Sequence, residues 1–233
     1  MDHNWGKEIY DYKNTVVRDI VTPIFLITGI GMDCNKFSIQ LELKKQMNEK
    51  KFQNHCITYN PLGFVYDMDV IKYPDKILFP ELIYSINDHI KTTEENFIGD
   101  YEAIIINVAG SMFPLNRVNT NNFGMLYHAY INALSIDYVI ICVNSIINLS
   151  SLEKEIKKLN LIGIFNISLV VSDLTYNTNF LEDPNGIIIY WEDIEVKNKY
   201  IEECKNYFKD ISVYSYNDVK EGKLLSNIIN IMT

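Results

Sequence analysis

"LITGIGMDCNKFSIQLELKKQM", residues 26–47, decides the fold. It opens as an apolar strand, passes through Gly29 and Gly31 to Lys36, and continues with Ile39, Leu43 and Met47 at helical spacing. A strand that turns through glycines into a helix gathers backbone N–H groups, the positive end of a helix dipole and a lysine at one point. That is the chemistry of a phosphate- or carboxylate-binding loop. The candidate anion-binding residues are Gly29, Gly31, Asn35, Lys36, Phe37 and Ser38. Two are out of pattern: Asn35 precedes the lysine, where such loops carry glycine, and Phe37 follows it, where they carry Ser or Thr.

Further along, short apolar runs alternate with segments of helical spacing. Strands are expected over 22–29, 54–61, 101–111, 137–145, 164–174, 186–193 and 211–218. Helices are expected over about fifteen residues from Lys36, over 80–95, 121–134 and 149–160, with a short helix or tail at the end. Ser150 or Ser151 is the expected cap of the helix at 149–160. The passage with Tyr66, Asp67 and Asp69 reads as loop. Near-continuous apolar strands separated by helices predict an α/β fold, a mostly parallel sheet with helices on both faces. Ligands of such sheets bind beyond the carboxyl ends of the strands. The expected organisation is an N-terminal arm over 1–20 and one α/β domain over 21–233.

Charge and composition narrow the partners. The chain has 233 residues, 22% of them charged, and a net charge of −9. Nucleic acid and anionic membrane surfaces are therefore excluded as main partners. The start is polar, without the apolar core of a signal peptide, and no run is long enough to span a bilayer; a cytoplasmic protein is expected. Cys34, Cys56, Cys142 and Cys204 are far apart, with no metal-ligand spacing; Cys142 reads as a buried strand residue and Cys204 as a helix-surface one.

A second segment joins the first. "IIINVAGSMFPLN" (104–116) runs from a buried strand into small residues and then an apolar-Pro-Leu-Asn element, and "TYNPLGF" (58–64) ends another strand. Together with "GIGMDCNKF" these resemble the dethiobiotin synthetase branch of the P-loop NTPases, over roughly residues 24 to 145. The resemblance implies a P-loop fold, ATP and Mg²⁺ as ligands, and a homodimer paired across the nucleotide face. It also shows departures. Phe37 lacks the hydroxyl that holds Mg²⁺, Asn107 replaces the metal-binding acid, and Asn60 replaces the substrate lysine before proline. Asp67 or Asp69 is the alternative carboxylate for a metal or substrate loop.

A narrower resemblance lies in "NKFSIQLELKKQMNEKKF" and "AGSMFPLNRVNTNNFGML". These are similar to the peptide maturation system proteins encoded beside ribosomally made, bacteriocin-like precursor peptides. The matching residues are Asn35, Lys36, Phe37, Gln40, Leu41, Pro114, Asn116, Asn122, Phe123 and Gly124. This resemblance implies a precursor peptide or a peptide-modifying enzyme as partner, and a nucleotide-binding site with weak or no hydrolysis. The alternative is an ATP/Mg-dependent ligase or ATPase with an unusual metal set. Among other residues, His128 is a weak candidate base, and Asp173 lies where a base-recognition loop would fall.

Overall fold

The computed structural model describes residues 7–8, 16–30, 34–73, 76–96, 102–114, 120–176 and 189–232. Gly31 and Asn116 lie outside the described residues. In chain order the elements are β1 (Lys7–Glu8), β2 (Ile24–Gly29), α1 (Lys36–Glu49), β3 (Asn54–Thr58), β4 (Asp69–Lys72), α2 (Phe79–Asn96) and β5 (Ala103–Asn107). Then follow α3 (Met125–Ala133), β6 (Tyr138–Val143), α4 (Leu149–Leu161), β7 (Ile167–Val171), β8 (Leu174–Tyr176) and β9 (Ile189–Trp191). The last elements are α5 (Ile194–Tyr207), β10 (Ser212–Ser215), α6 (Tyr216–Lys220) and α7 (Lys223–Met232).

Eight strands form one parallel sheet in the order β1-β4-β3-β5-β2-β6-β7-β10. Every residue of β2, β5, β6 and β7 is buried, which is why these strands read as near-continuous apolar runs. Helices cover both faces. One face packs Ile57, Ile104 and Ile141 against α2, α3, α4 and α5. The other packs Phe25, Ile105 and Ile140 against α1 and α7. Ile39, Leu43 and Met47 are the buried stripe of α1, as their spacing predicts. Gln40 is buried beside them because its amide donates to the carbonyls of Ile57 and Ile105, at 2.9 and 3.0 Å. It bridges two adjacent strands from the helix above.

Several elements differ from the sequence reading. β4 forms where a loop is expected: only Val70 and Ile71 are apolar in its four residues, too short a run to stand out. The segment at 186–193 contributes β9, which pairs antiparallel with β8 in a separate ribbon instead of joining the main sheet. α5 follows it, where the sequence shows only the helical pattern around Cys204; it is capped by Asp193, whose carboxylate accepts from Glu195 and Val196 N–H groups. Cys204 is fully buried on the inner face of α5, not on its surface. The cap of α4 is Asn148, accepting from the Ser150 N–H, rather than Ser150 or Ser151.

The described part of the first twenty residues touches the body through β1, through Arg18 and through Ile20, which packs on the core. Lys7 and Glu8 pair with Ile71 and Lys72 of β4. Arg18 reaches α2, with its guanidinium 2.8 Å from Asp88 and 3.1 Å from Glu95. No described helix is long and apolar enough to cross a membrane.

Candidate functional site

β2 is the central strand, flanked by β5 and β6, and the chain reverses its direction across the sheet here. The loops at the carboxyl ends of these three strands therefore meet at the switch point where such sheets bind ligands. Three backbone bonds stitch them together. Ile30 N–H donates to the Cys142 carbonyl, Val108 N–H to Ile27, and Met112 N–H to Gly29, each at 2.9 Å. Gly29 has no room for a side chain: a Cβ there would meet Cys34 Sγ at 2.4 Å and the Cys142 carbonyl oxygen at 2.9 Å. Burial raises the Cys142 thiol well above its ordinary value, so it stays protonated.

Asn35 occupies the left-handed region, φ 60° and ψ 12°, which asparagine tolerates better than other side chains. Its carboxamide oxygen accepts from the Ser172 hydroxyl at 2.5 Å and the Asp173 N–H at 3.0 Å. The position that glycine holds in phosphate loops is here a clamp between the first loop and the end of β7. Asp173 is held in turn by Lys197 at 2.6 Å.

Lys36 begins α1 and is only 3% exposed. Its ammonium donates to the Val108 carbonyl at 2.9 Å and to the Gly110 carbonyl, and lies 5.7 Å from the centre of the Tyr59 ring. Phe37 turns away and meets Tyr66 edge-on, ring centres 6.3 Å apart. Ser38 bonds the Tyr216 hydroxyl on α6.

Asn107, the last residue of β5, is 1% exposed, and neither its amide nitrogen nor its carbonyl oxygen has a partner among the described residues. The Thr28 hydroxyl on neighbouring β2 is likewise buried and unpartnered. An orphaned buried amide is costly, about 1–3 kcal/mol for each unsatisfied group. It marks a place where a polar ligand would relieve a real penalty.

The remaining sequence candidates fall elsewhere around this end of the sheet. Asn60 caps the 3₁₀ helix Pro61–Tyr66 by accepting from Leu62 N–H. Asp67 closes that turn in the left-handed region, and its carbonyl accepts from Lys44. Asp69 heads β4, where its carboxylate lies 3.0 Å from His89 and 3.6 Å from His55. Burial works to raise the Asp69 carboxyl, but bonds to the two imidazoles outweigh it and hold the carboxyl well below its ordinary range. Pro114 lies in the loop after β5. Asn122, Phe123 and Gly124 form three successive left-handed residues, at φ 48°, 53° and 69°. His128 lies on α3, its imidazole pushed down by burial.

The donor set does not suit Mg²⁺, which takes carboxylate, hydroxyl and phosphate oxygens. Phe37 has no oxygen and Asn107 offers a neutral one. Among the described residues no group of three His, Cys, Asp or Glu side chains is arranged to hold a metal ion.

Sheet order, the strand–loop–helix at 24–49 and the lysine at the helix start define a P-loop NTPase-like α/β protein. No protein-family model matches the chain, and no curated protein matches it in sequence. Solved structures match its fold. A DUF1611 family protein from Anabaena variabilis aligns with TM-score 0.62 at 11% identity, covering 95% of this chain. The chain spans 61% of that protein's length. A plasmid partition protein from Borrelia burgdorferi B31 bound to AMPPNP aligns with TM-score 0.52 at 13% identity, over 83% of this chain and 86% of its own. A plasmid partition protein from Borrelia burgdorferi gives 0.53 at 13% identity, over 88% and 99%. At these identities the likeness is one of fold.

Proposed function

We propose that the chain is an accessory binding protein on a P-loop fold, acting in the maturation of a ribosomally made, bacteriocin-type peptide. In this reading the loop 29–36 binds an anionic ligand of the nucleotide class and hydrolyses it weakly or not at all. The observation that carries it is the engagement of Lys36 by the Val108 and Gly110 carbonyls, beside an Asn107 that brings no charge. Phosphoryl transfer depends on positive charge positioned around the transferring group. Here the cation is shared with two backbone carbonyls and the metal donors are missing. What remains is the start of a fourteen-residue helix and a buried polar strand end, enough to hold an anion. AMPPNP in the Borrelia protein supports the choice of a nucleotide. The peptide-maturation half is supported by the Asn35-Lys36-Phe37 and Asn122-Phe123-Gly124 patterns in the sequence.

A second reading, an ATP/Mg-dependent ligase or ATPase, is favoured by one observation: the unpartnered Asn107 side chain suits a further polar group at this strand end. Calorimetric titration with ATP, with and without Mg²⁺, separates the two. The accessory reading expects saturable binding that Mg²⁺ leaves unchanged and Lys36→Ala weakens. Affinity that appears only with Mg²⁺ would favour the second reading, and no binding in either condition would remove the nucleotide from both. Titration with a bacteriocin-like precursor peptide tests the pathway half.

A further inference from the structure

β9 breaks the rules the rest of the fold obeys. Successive residues of a strand point to opposite faces, so a strand covered on either side buries at least alternate residues. Ile189, Tyr190 and Trp191 are all exposed, Trp191 by 71%. Among the described residues β9 pairs with β8 alone, and none of them bonds to the N–H and C=O groups of its outer edge. Proteins usually blunt such an edge with lysine, proline or a covering element. This one carries Ile-Tyr-Trp. The ribbon is nonetheless held in place. Glu192 N–H donates to the Asp173 carbonyl at 2.8 Å, Asn144 donates to the Leu174 carbonyl, and the Ser145 hydroxyl bonds the Glu192 carboxylate.

The surface continues into α5 with one charge sign. Residues 189–196 combine five exposed large apolar side chains with Glu192, Asp193 and Glu195, and contain no Lys or Arg. None of the three acids is in an ion pair among the described residues, and the nearest lysine in sequence, Lys197, is bonded to Asp173. A rigid, anionic, aromatic edge fits one kind of occupant. We propose that β9 and the first turn of α5 dock an extended, cationic segment of another polypeptide, which adds a strand to the β8–β9 ribbon. Main-chain bonds to β9 supply affinity. Lysine or arginine side chains meet Glu192, Asp193 and Glu195, and a guanidinium stacks on Trp191. Nucleic acid and anionic lipid are repelled by the same three carboxylates. Docking at β9 does not depend on what Lys36 binds.

The probe is a fluorescein-labelled peptide of alternating Val and Arg, titrated with the full chain and followed by fluorescence anisotropy. Its controls are a Val/Glu peptide and a Val/Arg peptide N-methylated at alternate backbone nitrogens. The Val/Arg peptide is expected to bind, more weakly at high salt. Trp191→Ala and Glu195→Lys, both at exposed positions and checked for folding by circular dichroism, should each weaken binding about tenfold or more. Glu49→Lys, on exposed α1 surface, should leave it unchanged. N-methylation should abolish binding. Absence of Val/Arg binding, equal binding of Val/Glu, undiminished affinity in Trp191→Ala, or equal binding of the N-methylated peptide would each overturn the proposal.

Discussion

The Ser172 hydroxyl donates a 2.5 Å hydrogen bond to the Asn35 carboxamide across 137 positions of sequence. The bond explains a residue that looks like damage in the sequence. Glycine at 35 would supply the left-handed backbone but no tie to β7, whereas asparagine supplies both.

Substitution at 35 should therefore split by type. Asn35→Ala loses the tie and puts an alanine in the left-handed region, and should destabilise the fold by about 2 kcal/mol. Asn35→Gly keeps the backbone freedom and should stay within about 1 kcal/mol of wild type. Urea denaturation of the two variants checks the order.

Lys36 is expected to matter to folding before any ligand is added. Removing a charged donor from the buried Val108 carbonyl and the half-buried Gly110 carbonyl should cost about 2–3 kcal/mol in Lys36→Ala. Thermal unfolding without nucleotide measures it. A variant as stable as wild type would mean that the bonds to Val108 and Gly110 contribute nothing.

The left-handed turn at 122–124 gives opposite expectations at neighbouring residues. A Cβ on Gly124 would lie 2.1 Å from the Met112 carbonyl oxygen, and φ there is 69°, so Gly124→Ala should destabilise by about 3 kcal/mol or more. Phe123 sits at φ 53° with its side chain 69% exposed. Phe123→Asn exchanges strain for a residue that accepts this conformation and should stabilise by about 0.5–1 kcal/mol. Chemical denaturation reads both signs.

Glu94 makes part of the stability depend on acid. Burial works to raise its carboxyl, but Lys91 at 2.6 Å and the Val21 and Thr22 N–H groups at 2.7 Å outweigh it, lowering it from 4.5 to about 2. A carboxyl depressed in the folded state stabilises above its unfolded value and loses that contribution as pH falls. The wild-type advantage over Glu94→Gln should be full above pH 4.5 and shrink between 4.5 and about 2. Stability measured across that range in both proteins checks the sign.

The sequence shows the sheet where strands are buried on both faces, because β2, β5, β6 and β7 are nearly all apolar, with only Thr28, Asn107 and Ser168 as polar side chains among them. It hides β4, four residues with polar ends, and it hides the extent and inner face of α5, where only Tyr200, Ile201 and Cys204 are buried among charged neighbours. It does not distinguish a main-sheet strand from the β8–β9 ribbon, since pairing partners leave no local mark on three residues. At the site, the loop and its lysine are visible as pattern. That Asn35 reaches Ser172, that Lys36 turns to Val108 and Gly110, and that Asn107 finds no partner among the described residues follow from how distant segments meet. No local periodicity encodes them.

Phosphate release from ATP in the presence of Mg²⁺, followed over many equivalents of the purified chain, tests the central claim most directly. With Lys36 engaged by carbonyls and no carboxylate at Asn107, the expected rate is at background and unchanged in Lys36→Ala. Sustained turnover by the wild-type chain that disappears in Lys36→Ala would contradict it.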